Sequence, residues 1–259
     1  TPRERANVFV AKGRAKEVLE LNPPIERSVA DALKEMATSQ TGLNITLLEL
    51  AQMLAGPSGA AILPLVDIKP KQDNQDAFAY IHGSAVLKNG KMIGSLDDTV
   101  TRGVMWLRNE VKRAAVTVTP KNKQGYITSQ LLKGQTELVP HIKGNSWSMT
   151  VRMNARDAII ENTTDLDLST PKHIGQLEKE LEDAVNKRVN MSLAMVQKQL
   201  KADVFQFAEA FYRKYPKKWS DIKERWDEIF PNVDVQLETD IKIARPGLTG
   251  KNMFKMDHR

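Results

Sequence analysis

The 259-residue chain contains no cysteine. That excludes a disulfide framework, a thiolate zinc or iron–sulfur site and a cysteine nucleophile. It leaves the compartment open, because a cysteine-free chain suits reducing and oxidising surroundings alike. Histidine is scarce: His82, His141, His173 and His258 are the full set, and no two stand at the i, i+4 spacing of a helical metal site. The glycines never fall in G-x-G-x-x-G or G-x-x-x-x-G-K-[ST] order, so no phosphate-cradling nucleotide loop is written in the chain. Long apolar runs are missing too. The most apolar stretch, residues 43–66, is interrupted by Glu49, Gln52 and the turn Gly56-Pro57-Ser58-Gly59. It falls short of the ~20 continuous apolar residues of a membrane-spanning helix. The opening Thr1-Pro2-Arg3-Glu4-Arg5 has no apolar core behind it and does not read as a signal peptide.

What is present is an ordinary folding composition. Hydrophobic residues make up 41% and charged residues 27%, enough apolar surface for a core and too little net charge for disorder. At ~150 residues per domain the length predicts about two domains. Thirty-eight Lys and Arg against 32 Asp and Glu give a net charge of +6. A basic balance favours an anionic neighbour, whether lipid surface, nucleic acid or acidic partner, without choosing among them.

Along the chain, residues 6–10 read as a short strand. Asn22-Pro23-Pro24 is a helix-start signal, and Val29, Leu33 and Met36 place one apolar stripe on a helix ending near Gly42. Thr46 and Glu49 form a capping-box pair opening a second helix that Gly56 ends. The polar, aperiodic stretch 67–77 reads as a linker and the best domain boundary. Asn89-Gly90, between two apolar runs, predicts a β-hairpin with a type I′ turn. Residues 99–111 fit either helix or strand, whereas 116–119 and 146–153 alternate as half-buried strands. From Ser169-Thr170-Pro171 the period becomes helical. Ile174, Leu177, Leu181, Val185, Val189, Leu193, Val196 and Leu200 predict a helix of roughly thirty residues, about 45 Å long. A second helical stripe (Val204, Phe207, Phe211, Tyr215) and a third starting at Ser220 follow, and period two returns over 233–243. Strands, then helices, then a closing strand predict an α+β fold: antiparallel sheets with helices packed on one face and a long helix in the C-terminal domain.

Catalytic letters occur without catalytic arrangements. Ser58 lies between glycines but outside any strand–elbow–helix context, and reads as a turn residue. The carboxylate pairs Asp97-Asp98 and Asp165/Asp167 read as turn or cap residues before acid–base pairs. No residue is assigned a catalytic, cofactor-binding or metal-ligating role, no cofactor is expected, and the chain is not expected to be an enzyme. The basic, aromatic stretch Tyr212-Arg213-Lys214-Tyr215-Pro216-Lys217-Lys218-Trp219 suits stacking and phosphate neutralisation on a single strand, or an anionic membrane surface. Its plainer reading is a helix–helix turn with Tyr215 and Trp219 packed inward and the charges solvated. The acidic residues just after it, Asp221, Glu224, Asp227 and Glu228, weaken the nucleic-acid reading, and no nucleic acid is expected as a partner.

Three stretches carry a resemblance to a known family. They are residues 8–19 (Val8-Phe9-Val10-Ala11-Lys12-Gly13-Arg14 onward), residues 83–94 with Thr101-Arg102-Gly103-Val104-Met105-Trp106-Leu107, and Asp203-Val204-Phe205-Gln206-Phe207-Ala208-Glu209 followed by Trp219, Ile222, Trp226 and Phe230. In this order they resemble the Ger(x)C proteins, the lipoprotein C subunits of spore nutrient germinant receptors. Glu161 falls where that family tends to carry a glutamate, whereas Ala208 stands where it usually has glycine. The family's signal peptide and lipid-bearing cysteine have no counterpart here. The resemblance therefore implies an N-terminally truncated member: 1–78 as the C-terminal part of the first domain, 79–112 as a small middle domain and 113–259 as the C-terminal α+β domain.

It further implies a non-enzymatic, membrane-tethered scaffold or interaction protein required for spore germination. Its place would be the outer face of the spore inner membrane, with membrane-embedded A and B receptor subunits as partners and an upstream lipid anchor. A small-molecule germinant-binding domain is the alternative, although the resemblance leads one to expect no deep ligand pocket. Gly94, Arg102, Gly103 and Trp106 are expected to serve turn geometry and packing.

Overall fold

In a computed structural model the described residues are 2–23, 26–39, 42–71, 76–121 and 123–247. His258 lies outside them, as do Pro24 of the helix-start signal and residues 72–75 of the expected linker.

The first sheet has the order β1 (Val10–Ala11), β2 (Ala60–Lys69), β3 (Phe78–Lys88), β4 (Lys91–Leu96). Strand β1 is shorter than residues 6–10 predict; Asn7 makes only an isolated bridge to Thr46. Before β2 stand helices α1 (Ala15–Leu19), α2 (Val29–Thr38) and α3 (Leu47–Ala55). Helix α2 begins later than the prolines suggest, because Ser28 caps it by accepting the Asp31 amide at 3.1 Å. The capping box of α3 forms as expected: Thr46 Oγ1 accepts from the Glu49 amide, and Glu49 Oε2 accepts from the Thr46 amide at 2.7 Å. The β3–β4 hairpin also forms, with Asn89 and Gly90 both at positive φ (50° and 75°), the geometry a type I′ turn requires.

The stretch read as a linker departs from expectation. Asp67, Ile68 and Lys69 continue β2 and pair with Tyr80, Ala79 and Phe78, so one sheet runs across residue 78. Polar side chains at a sheet end mimic a linker because the ladder, which holds that end, leaves no trace in side-chain polarity.

Helix α4 (Asp98–Leu107) resolves the ambiguous segment 99–111, capped by Asp97 accepting the Val100 amide at 2.8 Å. The second sheet has the order β5 (Ala115–Val118), β6 (Ile127–Lys143), β7 (Ser146–Asn162), β8 (Asp234–Arg245). Both sheets are mixed: β1–β2 and β7–β8 run parallel, and the other pairings are antiparallel. A parallel pair needs a long crossover, here residues 163–233. It contains α5 (Pro171–Ser192), a π-helical continuation over Leu193–Leu200, α6 (Phe207–Lys214), α7 (Pro216–Ile222) and α8 (Trp226–Ile229).

The long apolar stripe is buried as predicted, from Leu177 through Leu181, Val185 and Val189 to Val196. Two smaller expectations fail in this layer. Val204 precedes α6, and the third helix starts at Pro216, whose fixed φ suits a first helical position. Ser220 donates back to the Pro216 carbonyl and is no cap. Most apolar residues from Leu43 to Ile241 share one core, and a smaller one gathers Val18, Val29, Leu33, Ala37, Val66, Ala79 and Ile81 beneath α1 and α2.

Candidate functional site

The stretch 83–107 joins the two halves of the molecule. Gly103 on α4 lies so close to α5 that a methyl group there would overlap Ser192 Oγ and the Arg188 carbonyl. Ser192 Oγ donates to the Val100 carbonyl at 2.7 Å and fixes the crossing. Gly94 lies against Leu200, with space for a Cβ only 2.8 Å from Leu200 Cδ2. Trp106 is buried. Three of the four residues singled out in this stretch therefore sit in close packing. Arg102 differs: it is exposed and lines a groove against α5.

The carboxylate pairs fall into local structural roles. Asp97 caps α4, and Asp98 accepts from the Gly83 amide at 2.6 Å and holds His82 Nδ1 at 2.9 Å. Asp165 pairs with Lys123, and Asp167 accepts from the Ser169 amide and hydroxyl. Ser58 Oγ accepts the Ala60 amide within its turn. Glu161 accepts the Tyr126 hydroxyl at 2.9 Å, a contact that pushes the phenol up from its ordinary value. Among the described residues, no three His, Asp or Glu side chains gather as a metal site would require.

Sequence reasoning missed the buried acids of α6 and the loop before it. Asp203 is 2% exposed and accepts four hydrogen bonds, from the amides of Phe205, Phe207 and Ala208 and from Trp226 Nε1. It thereby satisfies the first amides of α6, whose preceding residue Gln206 sits at φ 69° and makes no side-chain cap. Burial raises the Asp203 pKa, and these donors oppose the rise. Glu209, in the first turn of α6, faces the end of α3 at Gly56. Its pKa is raised to about 7, first by burial and then by the Asp203 charge, with Arg108 and Arg213 pulling the other way. The signal was present in the sequence as acids inside an aromatic run, but nothing in the spacing shows that they are enclosed.

The stretch Tyr212–Trp219 follows its plainer reading in part. Trp219 is 5% exposed and packs on Trp226, with ring centroids 5.2 Å apart. Tyr215 and Lys214 reach the Pro140 carbonyl on β6, whereas Tyr212 is 50% exposed.

A large hollow lies beside β1. It is a half-open groove of about 960 Å³ with a floor of Phe9, Ala11, Val18, Leu33 and Val66 and a lip carrying Arg5, Asp31 and Lys34. Leu19, 66% exposed, stands at its side. The groove lies where α1 and α2 meet the first sheet, beside β1, which among the described residues pairs with β2.

Comparison with known sequences gives this geometry its context. Residues 82–247 match the family profile described as spore germination B3/GerAC like, C-terminal. The chain belongs to that family. Residues 1–68 match a second profile, the spore germination protein N-terminal domain. Among curated relatives, spore germination protein YndF of Bacillus subtilis is 29% identical over 93% of this chain and 59% of its own length. Spore germination protein KC of the same organism is 24% identical over 96% of this chain and 66% of its own. The chain thus spans about six-tenths of the length of these relatives. A crystal structure of the GerBC protein superposes with a TM-score of 0.76 at 17% identity, over 93% of this chain and 70% of that one, and shares the fold. Among the described residues, no helix is long and apolar enough to cross a membrane.

Proposed function

We propose that this chain acts without turnover, as an interaction subunit of a nutrient germinant receptor. On this reading it is the extracytoplasmic part of a lipid-tethered protein on the outer face of the spore inner membrane, and it works by holding the membrane-embedded A and B subunits together. The observation that carries the reading is the groove beside β1. An apolar floor next to a strand that, among the described residues, pairs only with β2 suits an added extended segment, which gains main-chain hydrogen bonds and buries alternate side chains. The charged lip of Arg5, Asp31 and Lys34 would set direction and register.

The test uses the full-length form of the protein, tagged and expressed with its A and B subunits. Wild type is expected to bring both subunits down from detergent extracts. Leu19→Glu, a change at an exposed position that leaves the core intact, is expected to reduce their recovery at least fivefold. Equal recovery with the variant would contradict the reading. Deleting the whole of 79–107 is not a clean test, because β3, β4 and α4 are built from it.

The same groove favours a second reading, a domain that binds a small germinant, since its volume lies within the ~300–1,000 Å³ of small-molecule sites. A saturable rise in melting temperature with amino acids or sugars would support this alternative. A flat response across both classes would remove it.

A further inference from the structure

The groove that Arg102 lines has a different character from the one beside β1. It encloses about 250 Å³ between α4, the start of β5 and α5, over a floor that includes buried Trp106 and Met105. Four cations line it: Arg102 on α4, Lys112 and Arg113 in the connection that follows, and Arg188 on α5. None of the described residues that line it carries a carboxylate. Among the described residues, none of the four cations has a side-chain hydrogen-bond or ion-pair partner, whereas Arg108, close by at the end of α4, is paired with Glu110. Arg188 is more than half withdrawn from water, and burial together with the neighbouring Arg102 charge lowers its pKa. Like charges gathered and partly desolvated without a counter-ion cost stability. The packing that enforces this one is the close approach of α4 to α5 at Gly103, next in sequence to Arg102 and against the Arg188 carbonyl.

We infer that this groove is a binding site for a phosphate group, held by the guanidinium forks of Arg102, Arg113 and Arg188 with Lys112 as an added point charge. A carboxylate has two oxygens and is satisfied by one guanidinium fork. A phosphate monoanion or dianion offers three or more acceptor oxygens and can engage several forks at once, which matches the charge assembled here. The phosphate can come free in solution or on a lipid headgroup, and the two are separable by experiment.

The purified chain is titrated with inorganic phosphate at fixed ionic strength by calorimetry. In a second arm it is floated with vesicles of phosphatidic acid, a phosphomonoester with three free oxygens, diluted in phosphatidylcholine. The double variant Arg102→Gln/Arg113→Gln changes two exposed side chains and keeps the fold. Lys217→Gln/Lys218→Gln removes the same charge elsewhere and serves as the control. Saturable phosphate binding that the site variant weakens fivefold or more, and the control by less than twofold, identifies free phosphate. The same pattern confined to vesicles identifies a headgroup. Absence of binding in both arms, a loss under fivefold in the site variant, or an equal loss in the control overturns the inference.

Discussion

At the scale of single residues, Glu209 couples stability to pH. Its ordinary pKa is 4.5, and in the folded chain it titrates near 7 because burial and the Asp203 charge disfavour the carboxylate. A raised acid keeps its proton in the folded state after the unfolded chain has lost it. The contribution of Glu209 to stability is therefore full below about pH 4.5, falls as pH rises to about 7, and stays low above that. Glu209→Gln mimics the protonated form. It is expected to flatten this part of the pH–stability profile and to melt higher than wild type at pH 8. Urea unfolding at pH 5 and pH 8 checks it, and parallel profiles for the two proteins would contradict it. Gly103 makes a steric demand, not an electrostatic one. Gly103→Ala drives a methyl group into the Arg188 carbonyl, a backbone atom that cannot rotate away. It should cost about 1–3 kcal/mol or more in urea unfolding, and a variant as stable as wild type would show that the α4–α5 crossing is looser than described.

Among elements, the clearest device is the protection of β8. As an outer strand it presents free amides, and two carboxylates of α5 take them: Glu182 accepts from the Ile241 amide at 3.1 Å and Glu178 from the Ile243 amide at 2.9 Å. Lys242 bridges Glu178 and Asp240 above them. Edge strands left bare are templates for pairing with another chain. Glu178→Ala/Glu182→Ala is expected to produce concentration-dependent self-association in sedimentation experiments, and a monodisperse variant would contradict this role.

The elements also show what a sequence reader can reach. The α3 capping box, the Asn89-Gly90 hairpin and the α5 stripe were legible because each is written in neighbouring residues. Strand β6 was not: Gly134 and Pro140 argue against a strand, and two register shifts, at Thr128/Ser129 and between Leu131 and Lys133, break its alternation. The parallel placement of β8 beside β7 depends on a crossover of some seventy residues that no local pattern encodes. The π-helical end of the long helix is held by Gln197, whose amide donates to the Phe230 and Val233 carbonyls, and such distant partners leave no periodic trace. At the candidate sites, the sequence exposed the family-specific stretch and the basic turn. It gave no sign of the groove beside β1, which depends on how α1 and α2 meet the first sheet.

Taken whole, the molecule joins two mixed sheets through the α4–α5 contact, and a half-open groove of about 960 Å³ lies beside β1. On the proposed reading this groove accepts an extended segment of a partner, on a family member whose curated relatives are named spore germination proteins. The central claim is that a receptor subunit occupies this groove. The most direct measurement is photocrosslinking in spore membranes from the full-length protein, with a photoreactive residue in place of Lys34 at the groove lip and, as control, in place of Glu238 on β8. The account predicts a crosslink from position 34 to the A or B subunit and none from position 238. A product confined to the chain itself, or equal crosslinking from the two positions, would contradict it.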